Sequence, residues 1–250
     1  MGRRPMPPQG GSLRQNAYET LLAAIIFGDL APGSSIDEKQ IADTFDLGIA
    51  PVRDALLRLA LEKMVERHPR IGTLIPALGL RDVQDVFEAR ILLEGECAAL
   101  AAERASPDEI GALRDAFSGF KAIIAKRDFR TLVQMDQLFH RTLAAATRNH
   151  HLERELILLH NNASRFWYFG IQRLNPKALI QDIEAHLVVA DAIAARDAAA
   201  AKSCMQDVLE HFPDHMSGLL IATPTVERKR AKPAVVTRRL TARRRAAVGA

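Results

Sequence analysis

The chain has 250 residues, of which 48% are hydrophobic, with a formal net charge of +4; that is ample for a buried core in two modest domains or one large one. Its two cysteines, Cys97 and Cys204, exclude a disulfide framework and favour a reducing compartment. No 18-residue apolar run occurs and the opening MGRRPMPPQGGS lacks an apolar signal core, so neither a membrane span nor a signal peptide is expected and a cytoplasmic location is.

Residues 1–13 are rich in Pro and Gly and read as disordered. A helix is expected over 14–27, closed by Gly28 and the Ala31-Pro32-Gly33 turn. Ser35 and Glu38 have the spacing of a capping box for a second helix, in which Ile41, Ala42 and Phe45 share a face. Asp46-Leu47-Gly48 breaks that helix, and Pro51 sits in the first turn of the next, where a missing N–H costs nothing. Val52, Ala55, Leu56 and Leu59 then form an apolar stripe, with Arg53, Asp54 and Arg58 on other faces. Two short helices around a Gly-containing turn make a helix-turn-helix, whose second helix usually enters the DNA major groove. From Glu66 to Ile75 two short strands about Gly72 are expected; Arg67, His68 and Arg70 there are in a position to reach phosphate or the minor groove, although an ordinary solvated hairpin has the same signature.

After Pro76 the pattern turns helical and rich in Ala and Leu. Breaks near Ser106-Pro107, Asp128, Asn149, Pro176 and Arg196-Asp197 divide residues 80–222 into about six helices, an all-α bundle, so the fold class is mainly α. Residues 223–250 read as a disordered basic tail. Residues 1–75 hold 9 basic and 9 acidic side chains, residues 76–223 hold 16 and 20, and residues 224–250 hold 9 and 1. The basic excess therefore lies entirely in the tail. Such a tail adds salt-sensitive, sequence-independent attraction to DNA or simply aids solubility.

Polar residues on apolar stripes mark the chemistry. Phe129, Leu132, Val133, Asp136, Phe139, His140 and Leu143 share one face of a helix, with Asp136 and His140 one turn apart. His186 interrupts the stripe Leu179, Ile183, Ala190, Ile193, and Arg90 and Glu94 interrupt that of the first bundle helix. A buried unpaired carboxylate costs several kcal/mol, so these groups imply a polar cavity. One carboxylate and two imidazoles suit Zn²⁺ or another first-row divalent ion; a hydrogen-bonded polar core and a metal-free ligand pocket fit the same spacing.

The run from Glu38 to Ile75, with Ile41-Ala42, Leu47-Gly48, Pro51-Val52-Arg53-Asp54-Ala55-Leu56 and Pro69-Arg70-x-Gly72-Thr73, resembles the winged helix-turn-helix of the GntR family of bacterial transcription regulators. Tyr18, Leu21, Leu22, Ile25, Ile26, Gly28 and Pro32-Gly33 extend the likeness upstream, to residues 14–77 in all. Many members carry Ser-Arg-Thr before Pro-Val-Arg; here it is Gly48-Ile49-Ala50, which puts the usual operator in doubt because arginine is the commonest reader of guanine. Arg90-x-x-x-Glu94, Asp136-x-x-Phe139-His140-x-x-Leu143 and His186-x-x-x-x-Asp191 resemble the FCD effector-binding domain of the FadR-type branch. The resemblance implies a divalent metal held by one Asp and three His, with a small carboxylate beside it. Asp136, His140 and His186 match three ligands. The fourth is expected at position 208, which is Val208, with His211 a possible substitute and Cys204 and His215 near the same face. Arg90 is expected to orient the acid, or to pair internally with Glu94, with Arg165 a second candidate.

A DNA-binding regulator follows, dimeric on a near-palindromic operator, with Arg53, Arg58, Arg67, His68 and Arg70 on DNA and a small organic acid as effector. The alternatives are a metal-dependent hydrolase-like enzyme and a ligand-independent dimeric repressor. Against an enzyme, the sequence holds no HExxH, GxSxG or Gly-rich phosphate loop, and none is expected.

Overall fold

The computed structural model describes residues 12–221, with side chains to residue 210. The expectations for residues 1–11 and 222–250, and for the side chains of His211 and His215, lie outside the described residues.

Helix α1 (Leu13–Ile26) begins at Ser12, whose hydroxyl accepts from the Gln15 amide. It lays Leu21, Leu22 and Ile25 against Val52, Leu56 and Leu59 of α3 (Ile49–Leu61), all of them buried. Helix α2 (Glu38–Phe45) precedes α3 and closes on Asp46 in the left-handed conformation, φ 53°. Its cap is not Ser35. Asp37 accepts from the Lys39 and Gln40 amides, while Ser35 is drawn into a strand, β1 (Ser35–Ile36), that pairs with β3 (Gly72–Leu74). The expected hairpin of β2 (Glu66–His68) and β3 is present in antiparallel register, Arg67 facing Thr73, and β3 is the central strand of the three. Arg70 and Gly72 turn the hairpin with φ of 71° and 102°.

The bundle is built on α4 (Leu80–Arg104), which packs against α8 (His150–Ile171) and most extensively against α10 (Ala198–Ile221). Around it stand α5 (Pro107–Asp115), α6 (Phe120–Ala125), α7 (Phe129–Ala146) and α9 (Pro176–Ala194). The stretch between Ser106 and Asp128 is two helices rather than one, because Gly119 at φ 78° reverses the chain between them. Helix starts follow local chemistry: Ser106 and Glu109 form a complete capping box with Pro107 behind it, and Asp128, Asn149 and Asn175 each accept amides at the starts of α7, α8 and α9. No helix among the described residues is long and apolar enough to cross a membrane, and Cys97 and Cys204 are free thiols.

The two parts are joined through α8. Asn162 donates to the Glu62 carbonyl at the end of α3 (3.0 Å), and Arg165 donates to the Pro76 carbonyl in the connecting segment (2.7 Å). Tyr168 meets Phe27 edge-on, and Arg130 of α7 pairs with Asp29 at 2.6 Å.

Candidate functional site

On the reading head, α3 exposes Ile49, Arg53 and Leu57 along one face. Arg53 leads that face and is held by Glu38 of α2 at 2.6 Å. Ile49 and Ala50 are exposed at the start of α3, where the resemblance leads to an expected Ser-Arg-Thr. Arg58 is not beside Arg53. It lies over the Tyr18 ring at 3.5 Å, pairs with Glu62 at 2.9 Å and donates to Gln15 at 3.2 Å, so it faces α1. In the hairpin Arg67, His68 and Arg70 are all exposed, and His68 contacts Glu66 at 2.9 Å.

In the bundle, α4, α7, α8 and α9 turn polar groups onto one small cavity of about 20 Å³, lined among others by Arg90, Asp136, His140, His160, Asp182 and His186. A space of this size holds about one water or a bare ion. Asp136 Oδ1, His140 Nε2 and His186 Nε2 converge there: His140 to His186 is 3.3 Å, Asp136 to His140 3.5 Å and Asp136 to His186 3.6 Å. Tetrahedral ligands at Zn–N and Zn–O bond lengths stand about 3.3 Å apart, so the three atoms fit corners around one small cation.

The hydrogen bonds behind these atoms fix which nitrogens are bare. His186 Nδ1 faces the Asp182 carbonyl at 2.8 Å and must donate to it, leaving Nε2 with a lone pair. His140 Nδ1 lies 2.6 Å from Glu94 Oε2. The N–H there is off the ideal line, yet the separation is that of a charge-assisted bond and not of repelling atoms. Glu94 is ionised, since Arg90 at 2.6 Å and His140 outweigh its burial and hold its carboxyl down at about 2. Two lone pairs and a carboxylate oxygen thus face one another and require a positive charge among them. In the metal-free protein a proton supplies it: although burial opposes the charge, Glu94 and Asp136 raise His140 to about 9. A divalent ion has the same place to occupy. Asp136, His140 and His186 form one group able to hold a metal, and Glu94, His140 and His160 a second.

Val208 of α10 also lines the cavity, so the position where the resemblance expects a fourth ligand does face the site, with methyl groups. Arg90 lines it too. Its Nε is committed to Glu94, while Nη2 lies 3.5 Å from His140 Nε2 and 3.3 Å from His160 Nδ1. Arg165 is not among the lining residues; it is buried at the junction with the reading head, where burial lowers its guanidinium to about 10.

His160 and Asp182 were not singled out by sequence. His160 stacks on His140 at 4.4 Å and its Nε2 lies 3.3 Å from Asp136 Oδ2. Burial, His140 and Arg90 hold it neutral, well below the usual histidine value. Leu156, His160, Ala163 and Trp167 share one face of α8, but residues 160–167 are buried all round, so no polar face sets that stripe apart. Asp182, one turn before His186 and half-buried, has its carboxyl pushed up by burial.

Comparison with known proteins agrees with this architecture. The description "Bacterial regulatory proteins, gntR family" matches residues 13–75, and the FCD domain matches residues 85–211. The HTH-type transcriptional regulator McbR of Escherichia coli is 24% identical over 206 residues, 80% of this chain and 90% of that protein. LutR of Bacillus subtilis, also an HTH-type transcriptional regulator, is 27% identical over 215 residues, 76% of this chain and 95% of that protein. The solved structure of E. coli McbR/YncC shares the fold with a TM-score of 0.75 at 22% identity, covering 84% of this chain and all of that one. A GntR regulator from Rhodococcus superposes with a TM-score of 0.65 at 20% identity, over 86% of this chain. The chain belongs to the GntR family of bacterial transcription regulators, with an N-terminal helix-turn-helix and a C-terminal FCD effector-binding domain.

Proposed function

We propose that this regulator binds a near-palindromic operator as a homodimer and that occupancy of the cavity among α4, α7, α8 and α9 sets its affinity for DNA. The reading head spans residues 14–77 and the sensing and dimerisation domain residues 80–222. The observation that carries the reading is the convergence of Asp136, His140 and His186 on one cation-sized point, one helix face away from Asn162 and Arg165, which hold the reading head.

Asp136, His140 and His186 would hold a divalent ion such as zinc, which when bound is a Lewis acid that attracts a carboxylate. This chain's own residues do the rest. Glu94 and the Asp182 carbonyl orient the two imidazoles, and Arg90 lines the same space with its guanidinium. An organic acid is larger than the cavity of about 20 Å³. Its binding rearranges groups that line this space, such as Arg90 and Trp167, and this gives it a reason to bind one arrangement of the domain better than another. DNA affinity and effector affinity are then reciprocally linked.

On DNA, Arg53 enters the major groove after leaving Glu38, and Arg67, His68 and Arg70 meet the backbone or minor groove beside it. Arg58 acts through the α1–α3 contact. Transcription places the protein in the cytoplasm, consistent with free cysteines. The same small cavity also favours a second reading, a ligand-independent repressor whose polar core is structural.

The two separate in one experiment. Duplexes selected from a random pool by the full-length protein are footprinted with the metal-free form, the zinc-loaded form and the zinc-loaded form with a panel of small acids. Control by the cavity predicts that at least one addition changes the footprint titration; identical titrations throughout establish the ligand-independent repressor.

A further inference from the structure

The three buried histidines of the cavity look alike in composition and differ in which nitrogen carries hydrogen. His140 and His186 direct Nδ1 at Glu94 and at the Asp182 carbonyl, so Nε2 of each faces the centre of the cavity. His160 is reversed. Its Nδ1 is 3.3 Å from Arg90 Nη2, and a guanidinium only donates. Nδ1 is therefore the acceptor, and Nε2 must carry the hydrogen of this neutral ring. That Nε2 is buried and lacks a well-aligned partner, and the acceptor within reach is Asp136 Oδ2 at 3.3 Å. Asp136 Oδ1 is the oxygen that points at His140 and His186. The two carboxylate oxygens thus have separate tasks.

We infer that His160 is a positioning residue for the metal site: it donates from Nε2 to Asp136 Oδ2 and holds Asp136 as a one-oxygen ligand, with Arg90 fixing the tautomer that makes this possible. The inference rests on the metal reading of Asp136, His140 and His186. It accounts for how a site with Val208 in place of a fourth side-chain ligand keeps its carboxylate in place. Without the donor, Asp136 is free to swing both oxygens onto the ion. His160 is not a ligand of an ion held by Asp136, His140 and His186, because Nε2 loses its hydrogen only if Nδ1 gains one, and that hydrogen would point at the Arg90 donor. Its ring also stacks on His140 at 4.4 Å, which holds the ring plane and the direction of the N–H.

The test uses the full-length protein with cobalt(II) as probe, in wild type, His160→Gln, His160→Phe and Asp136→Ala. The amide N–H of Gln reproduces a donor near the place of Nε2, and Phe keeps the ring without it. His160→Phe should weaken cobalt affinity roughly 10–100-fold, as loss of such outer partners does, and should alter the visible spectrum as Asp136 changes its mode of binding. His160→Gln should recover most of both, and Asp136→Ala should abolish uptake. Wild-type affinity and spectrum in His160→Phe would overturn the role, and so would a His160→Gln chain as metal-free as Asp136→Ala, since that identifies His160 as a ligand. If His160→Phe does not fold, ¹⁵N spectra of the zinc-loaded wild type decide instead: hydrogen on His160 Nε2 and none on Nδ1 is expected, and a metal-shifted Nε2 contradicts it. A wild-type chain that takes up neither cobalt nor zinc removes the metal reading itself, and the role of His160 with it.

Discussion

Arg90 Nε lies 2.6 Å from Glu94 Oε1, an ion pair one helical turn long with both side chains almost wholly buried. Glu94 in turn meets His140, so the cavity's charge balance runs through this pair. Removing one member strands the other. Arg90→Met should destabilise the domain by roughly 3–5 kcal/mol, as breaking buried pairs does, and Arg90→Met with Glu94→Leu should recover much of that loss. Urea denaturation of the two variants measures both; a double variant as unstable as the single one would mean that Glu94 serves the fold by another route.

The same network predicts how the metal-free domain responds to pH. Glu94 is depressed from 4.5 to about 2, so its stabilisation is complete above 4.5 and is lost as pH falls through about 2. His140 is raised from 6.5 to about 9, so its contribution is complete below 6.5 and is lost as pH rises through about 9. Chelator-treated protein should therefore melt at a lower temperature at about pH 9.5 than at about pH 6, and His140→Gln should flatten that alkaline decline.

At the junction, Gly28 holds φ at 73°, and a Cβ there would stand 2.7 Å from Cζ of Phe169 on α8. Gly28→Ala combines a left-handed strain with a clash between the reading head and the bundle. It should cost on the order of 1–3 kcal/mol, read as a fall in Tm. An unchanged Tm would show that Phe169 moves freely.

Asn162 and Arg165 bind carbonyls of the reading head rather than ligands. Arg165→Met leaves the Pro76 carbonyl without its donor and should cost about 1–3 kcal/mol. Combined with Asn162→Ala it should leave cobalt affinity unchanged while reducing the difference between operator affinities of the loaded and metal-free protein. Competition titrations and fluorescence anisotropy give the two quantities side by side; a parallel loss of cobalt affinity would place Arg165 at the metal site instead.

Much of this was legible in the chain. Gly48 and Pro51 announce the start of α3 because their constraints are local, and Asp136, His140 and His186 stand out because α7 and α9 each have a clear apolar face. Long-range contacts were not legible. Ser35 has the right spacing for a capping box, but pairing of β1 with Leu74, thirty-nine residues away, takes Ser35 into the sheet and leaves the cap to Asp37. His160 was hidden for a different reason. Residues 160–167 of α8 are buried on every side, wedged among the bundle and the reading head, so there is no amphipathic face against which a polar residue looks misplaced. Arg165 belongs to that same stretch, and its partner is a carbonyl of Pro76 that only domain packing brings near.

Direct readout by the head is tested by Arg53→Ala, which should remove specific operator binding while leaving cobalt uptake intact. Arg58→Ala should act first on stability, through the lost contact with Tyr18 and Glu62. A footprint retained by Arg53→Ala would mean that α3 docks by another face.

The most direct measurement is operator affinity against free zinc, by anisotropy, for wild type and Asp136→Ala, repeated with the acid panel. Control by the cavity predicts a change of about 5–150-fold in the wild type on metal or acid binding, and none in Asp136→Ala. A wild-type affinity that stays constant across zinc and every acid would contradict it.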